Sequence, residues 1–418
     1  MPRTALPKRR EIRYLEETVS LDRPKILAGE PEPAAVDLSV VLPCLNEAET
    51  LATCIEKARE GLRASGKSGE IVVADNGSTD GSQGIAQSLG ARVVPVAERG
   101  YGAALMGGIA AARGRWIVMG DADDSYDFRE IPRFVERLEE GADLVQGCRL
   151  PSGGGRVMPG AMPVLHRWWG NPMFSRMARL WFGAPIHDIH CGLRAFRRDL
   201  VTGLDLRCTG MEFASEMVIK ATLAGARIAE APITLHPDGR RSHAPHLRTF
   251  RDGWRHLRFF LLYSPRWLFL VPGALLALLG LVGYAVALPG LRLRGVEFDV
   301  HTLLFASLAL ILGYQSVLFA ILTKAFAERE RILPPDPRVA RLLRVANLER
   351  GLLLGAVATA AGAVLLFLAV ADWFGARLGP LDYRSTMRLV IPGVTLAALG
   401  VQTVLSSFFL SLLGIPRR

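Results

Sequence analysis

The chain has 418 residues, half of them hydrophobic, and a formal net charge of +10. That length allows two or three structural units, and the excess positive charge suits contact with anionic lipid, with no nucleic-acid partner expected. None of the five cysteines sits in a C-x-x-C spacing, and a reducing compartment argues against disulfides, so they read as small apolar residues.

Residues 1–36 are basic and proline-containing with no apolar run, so they read as a tail and not as a signal peptide. From residue 37 one grammar repeats. D-L-S-V-V-L-P is a strand ending at Pro43, followed by a helical stretch from Glu47 to Ala64. E-I-V-V-A-D is a second strand, leading through N-G-S-T-D-G-S into a helix near Gly81. A-R-V-V-P-V is a third, followed by a small-residue helix from Gly102 to Ala112. R-W-I-V-M-G-D is a fourth, with Pro132 in the first turn of the next helix, and A-D-L-V-Q-G-C is a fifth. Near-continuous Val/Ile strands separated by helices predict a mostly parallel sheet covered on both faces. In such sheets ligands bind beyond the carboxyl ends of the strands.

Those ends carry the chemistry. Pro43, Asn46 and Glu47 close the first strand, Asp75 the second, and Asp121 and Asp123 the fourth. No G-x-G-x-x-G or G-x-x-x-x-G-K-[ST] occurs, which argues against a dinucleotide enzyme or a P-loop NTPase. Aspartates also serve turns and helix caps, but an Asp-x-Asp at one strand end with Asp75 at another favours a nucleotide held through a metal. Mg²⁺ typically takes one or two carboxylates plus substrate phosphates. Further on, Glu212, Glu216 and Lys220 stand at i, i+4 and i+8 and read as a surface ion-pair ladder, with a place for either glutamate near a donor sugar as the second reading. His187, His190 and Cys191 are too close together for zinc-ligand spacing.

From residue 246 to 265 the pattern turns helical and amphipathic. Phe250, Trp254, Leu257 and Leu261 make one stripe and Arg248, Arg251, Arg255 and Arg258 the opposite one, which predicts an interfacial helix. Met173 to Trp181, with Phe174, Met177 and Trp181 on one side, is a shorter candidate. Residues 266–418 hold four charge-free runs, 267–288, 302–323, 351–371 and 389–413, each long enough to cross a hydrocarbon core of about 30 Å. Lys324, Arg329, Arg331, Arg338, Arg341, Arg344 and Arg350 fall between the second and third runs, which places both termini and the domain over 37–245 in the cytoplasm, at the cell's inner or plasma membrane. Gly351 and Gly355 form a small-xxx-small pair suited to helix contact or a homo-oligomer.

V-V-L-P-C-L-N-E-A-E-T, A-D-N-G-S-T-D-G-S, R-G-Y-G-A-A-L and G-D-A-D-D-S-Y-D together resemble the nucleotide-binding half of a family 2 glycosyltransferase, and more narrowly the dolichol- and polyprenyl-phosphate sugar synthases. The resemblance implies a GT-A fold: an α/β, Rossmann-like, mostly parallel sheet domain, followed here by an all-α membrane domain of four transmembrane helices. It implies metal-dependent, inverting transfer of a sugar from a UDP-glucose-type or GDP-mannose donor to a membrane polyprenyl or dolichyl phosphate. Pro43, Asn46 and Glu47 would line the donor site, Asp75 would contact the base, and Asp121 and Asp123 would serve donor and Mg²⁺ or Mn²⁺. Arg149, Arg167 and Arg240 would meet the acceptor phosphate, and Asp188, in H-D-I-H-C-G-L-R, would join Asp123 as a catalytic carboxylate with Arg194 close by.

Two departures stand out. Ser125 occupies the place of a glutamine that many relatives carry, so Ser125, Asp124 or water would complete the metal site. D-G-R-R-S-H, with Ser242 and His243, replaces a Gly-x-Ser-Lys segment. A processive polysaccharide synthase is the nearest enzyme alternative, but no Gln-x-x-Arg-Trp occurs. A non-catalytic scaffold or lipid translocator is the other, and the intact Asp75, Asp121 and Asp123 stand against it.

Overall fold

The computed structural model describes residues 36–241, 249–330, 332–337, 341 and 347–415. The basic tail, Ser242, His243, Arg248, Arg331, Arg338, Arg344 and the two terminal arginines lie outside the described residues.

Nine strands precede the membrane domain: β1 (Leu38–Cys44), β2 (Gly69–Asp75), β3 (Arg92–Pro95), β4 (Trp116–Met119), β5 (Leu144–Cys148), β6 (Arg156–Val157), β7 (Arg194–Arg197), β8 (Ile228–Pro232) and β9 (Thr234–Leu235). Seven form one sheet in the order β3-β2-β1-β4-β7-β5-β8. Only β7 runs against its neighbours β4 and β5. β1 shows why the central strands read as unbroken apolar runs: all seven of its residues are buried. Val40 and Leu42 point to a core with Leu51, Ile55, Phe128 and Phe134. Val41 points to the other face, with Ile117, Phe196, Phe213 and Met217.

The covering helices are α1 (Leu51–Ala64), α2 (Ser82–Ser88), α3 (Tyr101–Ala111), α4 (Ile131–Glu139), α5 (Asn171–Phe182), α6 (Arg198–Gly203), α7 (Phe213–Leu223) and α8 (Thr249–Tyr263). α1 begins four residues later than the apolar pattern predicts. Asn46 adopts a left-handed φ of 59°, and Glu47 to Thr50 form a turn before the helix. The expected surface ladder on α7 is inside. Glu216 has no exposure and pairs with Lys220 at 2.8 Å, while its carboxylate accepts from the Arg207 and Cys208 amides.

α8 differs from the two-faced helix predicted. It carries a third stripe, Asp252, His256, Phe259 and Phe260, buried against the domain. His256 lies 4.3 Å, ring to ring, from His190, and Phe174 of α5 packs on both. The apolar stripe of α5 is likewise core at Phe174 rather than an interfacial face. The exposed aromatic surface lies beside it, at Trp168, Trp169, Phe250 and Trp254.

Four long apolar helices follow: Arg266–Ala287, Val300–Arg329, Leu348–Gly375 and Tyr383–Leu413. They match the four predicted runs and pack as two hairpins. Small residues let the backbones meet: a Cβ on Gly280 would stand 2.8 Å from the Ala306 carbonyl, and one on Gly400 2.6 Å from that of Gly355. At one end of the helices, Arg384 binds Glu297 at 2.8 Å and Asp299 at 3.0 Å, tying the two hairpins together. At the domain end Trp181 of α5 stacks on Trp267 of the first span, with centroids 5.7 Å apart.

Replacing Gly400 with leucine forces the third and fourth helices apart. We expect a loss of about 1–3 kcal/mol, the usual cost of overpacking, read as a lower thermal midpoint of the full chain in detergent, with Gly414→Leu unchanged because no contact below 3.4 Å opposes a Cβ there.

Candidate active site

The strand ends converge on one rim. β1 ends at Cys44, β2 at Asp75 and β4 just before Gly120, so Glu47, Asp75, Asp121 and Asp123 leave the sheet on the same side. The first loop joins the fourth through Thr50, whose hydroxyl donates to the Ala122 carbonyl at 2.7 Å.

Asp75 is buried. One of its oxygens accepts from Gln83 Nε2 at 2.7 Å and from the Gly77 amide at 3.1 Å. Asn46 braces the same loop from across the rim by accepting the Thr79 amide at 2.8 Å. Asn76 carries the order onward. Its side-chain nitrogen donates to the Glu98 carbonyl at 2.7 Å, and its oxygen accepts the Gly100 amide at 2.8 Å. This fixes the start of α3, whose first residue, Tyr101, donates its hydroxyl to Asp121 Oδ1 at 2.8 Å. Pro43 is buried within β1.

The Asp-x-Asp pair is asymmetric. Burial and then the nearby charge of Asp123 push the Asp121 carboxyl up to about 6, and Tyr101, Arg149 and Arg240 pull it back. Asp123 Oδ1 accepts the Ser125 hydroxyl at 2.6 Å and its amide at 3.1 Å. Ser125, one of three candidates to complete a metal site, therefore pins the Asp123 carboxylate. Asp124, another candidate, has φ of 63° and turns away to Lys57 at 2.7 Å.

Arg240 is ringed by carboxylates. Its Nη1 donates to Glu47 Oε1 at 2.9 Å, its Nη2 to Asp123 Oδ2 at 3.0 Å, and its Nε to Asp238 at 2.9 Å. The guanidinium is 8% exposed. The segment that delivers it is stitched to the Asp-x-Asp loop: the His236 amide donates to the Ser125 carbonyl and the Gly239 amide to the Asp123 carbonyl, each at 2.9 Å.

Asp188 is fully buried, with both oxygens on Arg149: Nε to Oδ2 at 2.7 Å and Nη2 to Oδ1 at 2.9 Å. This bidentate pair holds the Arg149 guanidinium in one orientation against Asp188. Gly192, four residues on, serves the same corner. A Cβ there would stand 2.7 Å from Asp121 Oδ2, and its amide donates to the Tyr126 hydroxyl at 2.8 Å. Arg194, expected close to Asp188, is fully buried and donates to the carbonyls of Ile189, Cys191 and Ala214, which fixes this loop from within. Sequence reasoning missed Tyr101, Tyr126 and Ser125 as supports; R-G-Y-G and D-D-S-Y held them in plain view.

Arg167 sits on a π-helical turn, His166–Gly170, with its guanidinium 5.3 Å from the Trp168 ring. Its Nε is buried and has no hydrogen-bond partner among the described residues. Burial and then the charge of Arg149 lower the pKa of His166, the first residue of this turn. His166 Nε2 also meets Thr249 Oγ1 at 3.1 Å, at the start of α8.

Residues 39–204 match Glycosyl transferase family 2, and residues 321–414 match the Glycosyltransferase family 2 C-terminal transmembrane region. The chain is 37% identical to the low-salt glycan biosynthesis hexosyltransferase Agl6 of Haloferax volcanii, over 93% of this chain and 92% of that one. It is 34% identical to a dolichyl-phosphate hexose transferase of the same organism, over 47% of this chain and 82% of that one. An undecaprenyl-phosphate 4-deoxy-4-formamido-L-arabinose transferase of Pseudomonas paraeruginosa is 32% identical over 41% of this chain and 51% of its own.

Two outcomes follow from this geometry. Asp188→Ala leaves Arg149 buried without its counter-ion and lowers stability by about 3–5 kcal/mol, measured by thermal unfolding of the full chain. For Asp121 the carboxyl is raised from 3.8 to about 6, so its contribution to stability is full below pH 3.8 and is lost as pH rises through 6. Asp121→Asn removes that part of the slope, and thermal midpoints at pH 4 and pH 7 then lie closer together than in the parent.

Proposed function

The chain belongs to glycosyltransferase family 2, and we propose that it transfers a hexose, with inversion, from a nucleotide-sugar to a polyprenyl or dolichyl phosphate in the membrane. The observation that carries this reading is the joining of two charge environments on one rim: carboxylates at the ends of β1 and β4, and the Arg149–Asp188 pair beside a turn that touches the interfacial helix. The relatives named for dolichyl and undecaprenyl phosphate support the acceptor class.

The donor half is the loop system of Asp75, Asn46 and Asn76, with Asp75 in reach of the base and Pro43 and Glu47 lining the cleft. A divalent cation fits the remaining residues. Asp121 and Asp123 offer hard oxygens; burial and then the charge of Asp123 raise the Asp121 carboxyl, and a dication would offset both. Mg²⁺ or Mn²⁺ held by these two would neutralise the leaving nucleoside diphosphate. Tyr101 and Ser125 hold the two carboxylates in place for it.

On the acceptor half Arg149 is held rigid by Asp188, and Arg167 lies on the neighbouring turn. Both meet an anionic phosphate that is already a nucleophile, so no strong general base is required. Rate comes from positioning and charge. Trp168, Trp169, Phe250 and Trp254 are exposed on this side and enter the headgroup layer, which keeps the lipid tail in the bilayer while its phosphate reaches the rim. The catalytic domain and both chain termini face the cytoplasm, at the plasma membrane.

The test is transfer of radiolabelled sugar from UDP-glucose and GDP-mannose to polyprenyl phosphate in membranes containing the full chain, with Mg²⁺ or Mn²⁺ and with chelator. Labelled lipid should appear with one donor, vanish with chelator, and fall at least a hundredfold in Asp123→Asn, the loss expected of an electrostatic group at the reacting centre. Label that persists in chelator overturns the metal role. Absence of both transfer and nucleotide binding overturns the reading as a whole.

A further inference from the structure

Both oxygens of Asp123 are engaged. Oδ1 is taken by Ser125 through hydroxyl and amide, at 2.6 and 3.1 Å. Oδ2 accepts Arg240 Nη2 at 3.0 Å. The same guanidinium binds Glu47 through Nη1 and Asp238 through Nε, so three carboxylates surround one cation that is 8% exposed. Burial works against that charge, yet Asp238, Asp123 and Glu47 hold the guanidinium's pKa above its ordinary value. A dication approaching Asp123 Oδ2 meets a fixed positive group at hydrogen-bond distance from the same atom, in partly desolvated surroundings where like charges repel strongly.

We propose that Arg240 and the divalent cation compete for Asp123, so that Arg240 is a built-in latch on the donor site. The proposal rests on the metal role given above to Asp123. Arg240 is equipped to leave without dismantling the fold. The segment that carries it stays anchored by backbone bonds, His236 and Gly239 to the Asp-x-Asp loop, while the Arg241 amide donates to Glu49 at 2.7 Å. Asp238, the outermost of the three acids, belongs to Arg240 alone among the contacts described for it, so it sets how tightly the latch holds. The consequence for the reaction is an order of events. Metal binding requires Arg240 to give up Asp123 and Glu47, and a guanidinium freed on this rim gains a new partner in the diphosphate of an incoming donor. Metal and donor therefore bind with positive cooperativity, each lowering the cost of the same displacement.

The experiment is Mn²⁺ binding to the full chain in nanodiscs, followed by the electron paramagnetic resonance signal of free Mn²⁺ without nucleotide. Wild type, Arg240→Gln, Arg240→Lys, Asp238→Asn and Asp123→Asn are compared. Arg240→Gln should bind Mn²⁺ about tenfold tighter than wild type, the scale of one lost charge-assisted contact. Asp238→Asn, which loosens the latch without touching the metal ligands, should tighten binding by a smaller factor, and Arg240→Lys should lie nearer wild type. Adding UDP should tighten Mn²⁺ binding more in wild type than in Arg240→Gln. Equal or weaker Mn²⁺ binding in both Arg240→Gln and Asp238→Asn overturns the latch while leaving the metal site standing, provided Asp123→Asn loses the ion. Binding that is the same in Asp123→Asn as in wild type overturns the metal role itself, and the latch with it.

Discussion

Two carboxylates stand two residues apart at the end of a buried strand, and side chains from several loops converge to hydrogen-bond them. Asp121 is eased by a tyrosine hydroxyl from α3, Asp123 by Ser125 and by a guanidinium from beyond β9. Each support comes from a different part of the chain. The carboxylates thus act as a tie-point where the loops after β1, β3, β4 and β9 are drawn together. The contacts on Asp123 divide between its oxygens, Ser125 on Oδ1 and Arg240 on Oδ2.

The second half of the rim follows a different logic. Arg149 is locked to a fully buried aspartate, and the loop around that aspartate is held by Arg194 from below, by Gln146 through the Asp188 and Cys191 carbonyls, and by Ser175 at the Ile189 amide. The rim therefore carries two differently held cations: Arg149 pairs with one fully buried aspartate, and Arg240 is shared among three carboxylates.

Much of this could be read along the chain. The strands were legible because buried parallel strands are unbroken Val/Ile runs, and the convergence of Asp75, Asp121 and Asp123 on one rim followed from their places at the ends of parallel strands. The spans were legible from length and lack of charge alone. What could not be read depends on contacts distant in sequence. Arg240 lies 117 residues from Asp123 and Asp188 lies 39 from Arg149, and no local pattern records either pairing. The inward turn of Glu216 and Lys220 escaped because i, i+4 spacing is the same on a surface as in a pocket. α8 escaped in part for a related reason. Periodicity separates apolar from charged faces, but it cannot tell an apolar stripe that packs on protein, such as Phe259 and Phe260, from one left exposed, such as Phe250 and Trp254.

The reversed strand β7 has a consequence of its own. Six strands deliver their last residues to the rim, but β7 delivers its first, so the connection arriving from α5 ends where the chemistry is. Within a handful of residues it sets Asp188 against Arg149 and Gly192 against Asp121. Surface connections ordinarily absorb inserted or deleted residues with little penalty. This one cannot: adding a single residue between Asp188 and Gly192 would shift the register of both corners at once. Length variation among chains of this architecture should therefore accumulate ahead of α5 or after α6, and the four-residue step from Asp188 to Gly192 should stay fixed.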